Sequence, residues 1–340
     1  MPPPDSSRVT LADVARLARV DRSVVSRVMN NDPRLAVRAE TRARVLQVVR
    51  ELGYHPNAAA RSLRTAQAGA IGLIIPDFAN PIYAEIIKGA EAAARDSGLM
   101  LLTGSVDHSA GAGNYLQLLA SGRVDGLLVA APGDQLPPHL VEPLVSAGRR
   151  LILLNQKGTG QVRCILLDDE AAARLAARHL LDLGHVRIAQ IAGPAGVDTA
   201  QRRRRGFARA LAEGGVTPPH DYVIATDYTT EGGEAAMGAL LRLAEPPTAV
   251  FAANVASAIG ALRAARASGK AVPGDLSLVA VHDIPLAADL RPPLTTVRMP
   301  LREMGQAGVL ALTSGRPRPL TRIVREPMEL IVRETTAPPA

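Results

Sequence analysis

Thr10-Leu-Ala-Asp-Val-Ala-Arg-Leu-Ala-Arg-Val-Asp-Arg-Ser-Val-Val-Ser-Arg-Val-Met-Asn30 is the stretch on which the reading of this chain turns. Its apolar residues repeat at helical spacing in two short blocks. Leu11, Val14, Ala15 and Ala18 share one face of a helix over Leu11–Ala18. Val25, Val28 and Met29 point inward from a second helix over Arg22–Asn30, with Asp21 placed to cap its first turn. About three residues separate the two, the spacing of a helix-turn-helix. The second helix turns short polar and basic side chains outward: Arg22, Ser23, Ser26 and Arg27. Such a helix suits a DNA major groove, where Arg meets guanine acceptors and Ser meets several base edges or a phosphate. Thr10 and Asn30 flank this face and complete the first set of candidate DNA contacts. A third helix over Ala39–Leu52 carries Val45, Val48, Val49 and Leu52 on one stripe. The bland alternative is a three-helix bundle with an ordinary basic face.

Charge supports the DNA reading. Of the 340 residues, the first 64 hold twelve Arg, no Lys and six carboxylates, a net +6. The whole chain is only +7, so a basic head precedes a nearly neutral body. Apolar residues make up 47% and charged residues 21%, a balance that supports large cores. Residues 1–8 are rich in Pro and Ser and are expected to be disordered.

From Ala70 onward the pattern changes. Apolar runs at Ile71–Ile75, Leu99–Thr103, Gly126–Ala130, Leu151–Leu154, Ile188–Ala192, Ala249–Ala252 and Leu278–Val281 read as buried strands. Amphipathic helices such as Tyr83–Ser97, Glu170–Leu183 and Arg202–Gly214 lie between them. This alternation predicts an α/β body with parallel sheets and right-handed crossovers. Some 270 residues is long for one sheet, so two similar lobes are expected, with a ligand cleft at the carboxyl ends of the strands.

Other classes find little support. The single Cys164 allows no internal disulfide and no cysteine zinc cluster. No apolar run has the length of a membrane span, and MPPPDSSR lacks the apolar core of an export signal, so a cytoplasmic protein is expected. Gly111-Ala-Gly113 lacks the third glycine and the strand-turn-helix context of a dinucleotide site. There is no P-loop and no nucleophile elbow. His179 and His185, six apart, do not share a helical face. No enzyme activity, cofactor or metal is therefore expected. A solute-binding protein without a DNA role is the second class, which the body alone would suit.

The head, together with Glu40-Thr-Arg-Ala-Arg-Val-Leu and Glu51-Leu-Gly-Tyr-His-Pro-Asn-Ala-Ala-Ala-Arg-Ser-Leu-Arg64, resembles LacI/GalR-family transcriptional regulators. The likeness runs over about residues 8–338, through Ile71-Gly-Leu-Ile-Ile-Pro-Asp-Phe-Ala-Asn-Pro, Arg123-Val-Asp-Gly, His179-Leu-Leu-Asp-Leu-Gly-His and Pro292-Pro-Leu-Thr-Thr-Val. It implies a helix-turn-helix headpiece at 9–55, a hinge helix and linker at 56–68, and a two-lobed, periplasmic-binding-protein-like core at 69–340. In such a core the chain crosses between lobes three times, here near Leu167, Val297 and Ile323. The resemblance adds Tyr54, at the end of the headpiece, and the hinge residues Asn57, Ala60, Arg61 and Leu63 to the candidate DNA contacts. Leu63 takes the position of a leucine that wedges into the minor groove and bends the operator. The partners implied are near-palindromic double-stranded DNA, a second copy of the chain and a small effector, and the role implied is repression.

The resemblance also marks effector-site positions: Phe78 and Tyr83 in the first lobe, and Asn155, Arg203, Tyr228, Asn254 and His282 around the cleft. The chain departs from the family pattern in both parts. In the head, Arg19 stands where a turn glycine is usual, Val24 where Thr is usual, and Arg38 at a position usually capped by Ser. In the cleft, Asn155 and His282 replace frequent aspartates, and Asn254-Val255 replaces an Asn-Asp pair. Losing carboxylates while keeping Arg203 predicts a ligand rich in acceptors, either neutral or anionic such as a phosphorylated sugar.

Overall fold

The computed structural model describes residues 9–30, 32, 34–54, 67–106, 113–130, 136, 138–158, 161–314 and 320–340. The chain divides into two compact units between Ala68 and Gly69. The expected disordered start and hinge residues Asn57, Ala60, Arg61 and Leu63 lie outside the described residues.

The first unit holds α1 (Leu11–Ala18), α2 (Arg22–Met29) and α3 (Ala39–Glu51). Thr10 and Asp13 form a reciprocal cap at the start of α1: the Asp13 amide donates to Thr10 Oγ1, and the Thr10 amide donates to Asp13 Oδ2 at 3.0 Å. Asp21 caps α2 as expected, accepting from the Ser23 amide at 2.7 Å. Val14, Ala15, Ala18, Val25, Val28, Val45 and Val48 form a common core. Val24 packs against this core, so the missing threonine leaves an inward-leaning methyl surface. Arg44 Nε donates to the Ala18 carbonyl at 2.9 Å and pins α3 to the end of α1.

The turn between α1 and α2 passes through Arg19 at φ 53°, ψ 48°. The Val20 amide reaches back to the Ala15 carbonyl at 3.1 Å, the closing bond of a Schellman turn. A left-handed residue is required there, and a side chain with a Cβ is strained in it.

The second unit contains two six-stranded sheets. The first uses β1 (Ala70–Ile75), β2 (Met100–Ser105), β3 (Gly126–Val129), β4 (Leu151–Leu154), β5 (Arg163–Leu167) and, from late in the chain, β11 (Thr321–Val324). Its order is β11-β5-β4-β3-β1-β2, all parallel. The second uses β6 (Ile188–Ala192), β7 (Val223–Ala225), β8 (Ala249–Ala252), β9 (Ser277–Val281), β10 (Thr295–Arg298) and β12 (Glu329–Ile331). Its order is β12-β10-β9-β8-β6-β7, with only β12 antiparallel. Both match the expected two parallel lobes. Strands β1, β3, β4, β6, β8 and β9 are buried throughout, which is why they read as unbroken apolar runs.

The helices are α4 (Ile82–Asp96), α5 (Gly113–Ala120), α6 (Pro138–Ser146), α7 (Asp169–Asp182), α8 (Asp198–Glu213), α9 (Thr230–Leu241), α10 (Val255–Ala267), α11 (Pro285–Asp289) and α12 (Leu301–Thr313). Pairs α4/α12, α7/α8 and α9/α10 pack closely. In the second pair a Cβ on Gly206 would collide with the Glu170 carbonyl, so α8 reaches α7 only because that residue is glycine. This contact places the arginines of α8 against the start of α7.

The chain passes between lobes after β5, between β10 and α12, and between β11 and β12, close to the three expected places. His179 and His185 serve the carboxyl-terminal segment. His179 Nε2 lies 3.0 Å from Thr336 Oγ1, and His185 Nε2 lies 2.9 Å from the Ala337 carbonyl.

Two head positions carry removable local defects. Arg19→Gly relieves the left-handed strain and should stabilise the head by about 1 kcal/mol. Arg38 caps α3 without a side-chain bond, so Arg38→Ser should add about 1 kcal/mol. Hydrogen exchange of the Val14 and Val25 amides in the full chain should slow roughly fivefold per substitution, while Arg19→Ala should leave it unchanged.

Candidate functional site

The candidate DNA face is the exposed side of α2. Arg22, Ser23 and Arg27 are exposed there, and Ser26 is half-buried. Arg27 keeps a loose tether, its Nε 3.9 Å from Asp32 Oδ2. Asn30 is exposed but its amide Nδ2 donates to the Ser26 carbonyl at 2.6 Å. The Thr10 hydroxyl is held in the α1 cap, donating to Asp13 Oδ2 at 2.7 Å. Tyr54 is a core residue of the head, only 8% exposed. The face that remains most open is therefore Arg22 and Ser23 in the first turn of α2 and Arg27 in its last turn.

The second unit gathers most of the candidate effector residues at strand ends. Arg203, in the second turn of α8, is buried. Its Nε donates to Asp169 Oδ1 at 2.7 Å, its Nη1 to the Ala253 carbonyl at 2.6 Å and its Nη2 to His282 Nε2 at 3.1 Å. Its guanidinium carbon lies 5.8 Å from the centre of the Tyr228 ring, within cation–π range. Asn254 caps α10 through Oδ1 and donates from Nδ2 to the Tyr228 carbonyl at 2.9 Å. Gly193, just after β6, leaves room for the Tyr228 ring, with which a Cβ would collide.

Arg202 links this group to the first lobe. Its Nη1 lies 2.5 Å from Asp169 Oδ2 and donates to the Leu167 carbonyl at 2.6 Å. Its Nη2 reaches the backbone and side-chain oxygens of Asn155, each at 3.2 Å. Leu167 and Asn155 stand at the carboxyl ends of β5 and β4. Asp169, fully buried at the start of α7, thus holds both arginines. Tyr83, in the first turn of α4, lies within electrostatic reach of Arg203 and Tyr228, and burial pushes its hydroxyl well above the ordinary range. Phe78 is the outlier: it is 55% exposed after β1 and joins none of these bonds.

Backbone geometry singles out the same place. Asn155, Tyr228 and His282 have φ of 53°, 69° and 80°. Four described non-glycine residues adopt such values, and three are candidate effector residues. Left-handed backbone at a bulky residue is strained, and such strain clusters at functional sites.

Asp169, Arg202 and Gly193 escaped the reading of the sequence. The Asp-Asp pair opening a helix after a buried strand was the available signal for Asp169. Burial and the neighbouring Arg203 hold the His282 imidazole well below its usual pKa near 6.5, so it is neutral in the folded chain. On unfolding it regains the ordinary value. Above about pH 6.5 neither state is charged at this residue, and stability is flat. As pH falls from 6.5 toward the folded pKa, only the unfolded chain takes the proton, and stability declines by up to about 1.4 kcal/mol per pH unit. Urea unfolding of the core between pH 7.5 and 5 should show this decline, flattened in His282→Asn, whose side chain tolerates positive φ. An identical slope in the variant would contradict a buried neutral imidazole.

Comparison with known proteins agrees with both units. Residues 10–57 match the model for bacterial regulatory proteins of the lacI family, and residues 177–336 match a periplasmic binding protein-like domain. The transcriptional regulator DegA of Bacillus subtilis (strain 168) is 34% identical over 338 residues, covering 97% of this chain and 99% of that protein. The Lac repressor dimer bound to operator and the anti-inducer ONPF superposes with a TM-score of 0.84 at 28% identity, over 97% of this chain and 100% of that one. The transcriptional regulator CelR in complex with cellobiose gives 0.73 at 31% identity, over 96% and 100%. With a reading head, a two-lobed core and relatives alike along nearly the whole length, the chain belongs to the LacI family of bacterial transcriptional regulators.

Proposed function

We propose that this protein is a homodimeric repressor whose grip on a near-palindromic operator is set by a carbohydrate-related molecule in the cleft between its lobes. The observation that carries the reading is the outward Arg22, Ser23 and Arg27 on a capped second helix, standing in one chain with the strained cluster around Arg203. A solute-binding protein would need only the second of these.

Each head would lay α2 in a major groove, with Arg27 and Ser23 on base edges and the remaining arginines on phosphates. Two copies related by a two-fold axis match a two-fold operator. In support of self-association, the edge strand β2 leaves Met100 65% and Leu102 44% exposed. Asn57, Ala60, Arg61 and Leu63 form the hinge, carried on the head core that holds the Tyr54 ring, and Leu63 from each copy enters the minor groove. The effector would contact Tyr83, Arg203, Tyr228 and His282, with Asn155 and Asn254 holding those groups in place and Phe78 at the rim. The chain acts by binding, as the regulators it resembles do, and works in the cytoplasm beside its DNA. No described helix is long and apolar enough to cross a membrane.

A gel-shift series on randomised near-palindromic duplexes tests the reading. Selection of one sequence over random competitor supports it, and equal affinity for all duplexes overturns it. On the selected site, Arg27→Ala should lose about 1–3 kcal/mol of specific binding. Leu63→Ala should reduce DNA bending and specific affinity, seen as a change in gel mobility, while effector binding stays intact.

A further inference from the structure

His282 stands where the family pattern noted from the sequence often has an aspartate, and its protonation pattern is fixed by its neighbour. A guanidinium only donates hydrogen bonds, so the 3.1 Å contact from Arg203 Nη2 makes His282 Nε2 an acceptor. The neutral imidazole then carries its proton on Nδ1. That Nδ1–H is buried and has no partner, in a residue only 1% exposed. A buried donor left unpaired is destabilising, and this one stands inside the candidate effector cluster, where a ligand acceptor would pair with it.

The acceptors around it are already taken. Both oxygens of Asp169 face Arg202 and Arg203; Oδ2 makes no hydrogen bond, but it is held in the ion pair with Arg202 Nη1 at 2.5 Å. Asn155 Oδ1 accepts from the Leu167 amide and from Arg202, and Asn254 Oδ1 accepts from the Ser257 amide. Asp283, next in sequence to His282, is held by Thr296, Arg298 and Arg333. Asp77, within electrostatic reach of Tyr83, is exposed and ties one oxygen to the Ala79 amide. Arg203, by contrast, keeps one Nη1–H beyond its described bonds. Apart from the Tyr83 and Tyr228 hydroxyls, which can donate or accept, the described groups at the deep end of the site therefore offer donors. Its charges also cancel, since Asp169 and Asp198 balance Arg202 and Arg203. A phosphate dianion would meet no spare cation there, which sets aside the phosphorylated-sugar half of the expectation drawn from sequence.

Building on the effector reading above, we propose that the effector is a neutral carbohydrate derivative bearing a carbonyl acceptor, a lactone or an acetamido sugar, read by His282 Nδ1–H and the remaining Nη1–H of Arg203. Where a family aspartate would accept from a sugar hydroxyl, this chain donates to a carbonyl. Reversing the polarity at one buried position inverts which ligand leaves a group unpaired.

The test is calorimetric titration of the full chain with D-galactose, D-galactono-1,4-lactone, N-acetyl-D-galactosamine and D-galactose 6-phosphate, repeated with the matching glucose series. At least tenfold tighter binding of a lactone or acetamido sugar than of its parent sugar supports the proposal. His282→Asp, which accepts positive φ and supplies an acceptor, should then reverse the order. Parent sugars or phosphates binding as tightly as the carbonyl compounds, or no compound binding, overturns the proposal. Even if His282→Asp fails to fold, the wild-type order decides. Release of the selected operator by a cell metabolite extract, measured on the same sample, shows whether the effector-controlled reading survives such a failure.

Discussion

The buried Asp169 carboxylate, shared by Arg202 and Arg203, is the constraint around which the two lobes are arranged. It lies just after the first crossing between sheets. Through Arg202 it fixes the carboxyl ends of β4 and β5 in the first lobe. Through Arg203 it fixes the loop after β8 and His282 at the end of β9 in the second. Buried ion pairs add little net stability, because desolvation of both charges offsets their attraction. Removing one partner is another matter, since it strands the others without water. The network is thus better understood as a device that fixes geometry than as a source of folding energy.

Strain tells the same story from the backbone. Asn155, Tyr228 and His282 are each held left-handed at or beyond the end of a parallel strand. These are the places where the fold brings loops from different strands together over a ligand. Each is held by bonds that would break if the chain relaxed: Asn155 by Arg202 and the Leu167 amide, Tyr228 by Asn254, His282 by Arg203 and its own amide to Val297. Arg19 in the head differs. Its left-handed angle follows from the Schellman turn, and among the described residues no side-chain network depends on it. The same dihedral therefore falls within the candidate effector cluster in one unit and at an isolated helix end in the other.

What the sequence disclosed follows the range of the physics behind each feature. Leu11–Ala18 and the Asp21 cap are local, decided within a few residues, and match the structure closely. The fully buried strands stand out because both their faces are apolar. Strands β10 and β11 did not, since Thr and Arg fill half or more of their four positions, β7 and β12 are only three residues long, and β5 escaped the reading although residues 164–167 form a buried apolar run. Arg203, Tyr228, Asn254 and His282 were reachable by motif. Asp169 and Arg202 were not, because their pairing joins the starts of two helices more than thirty residues apart, and no periodicity records such a meeting. Tyr54 shows the converse, a motif position whose ring the fold places in a core.

Control of DNA by a ligand requires that the ligand bind two arrangements of the lobes unequally. The geometry offers a place for that difference. A molecule touching His282 and Arg203, as proposed, would act on a guanidinium whose carboxylate partner also holds Arg202, and Arg202 reaches Asn155 and Leu167 at the strand ends of the first lobe. Any shift of Arg203 toward a ligand changes the share of Asp169 left to Arg202, and so the grip of one lobe on the other. A coupling of about 1–3 kcal/mol suffices for a five- to hundredfold change in operator affinity, and by linkage the operator must alter ligand affinity by the same factor. One strengthened or weakened charge-assisted hydrogen bond in a buried network falls in that range. The ion triad is therefore large enough in energy, and central enough in position, to be the element whose two arrangements the ligand distinguishes.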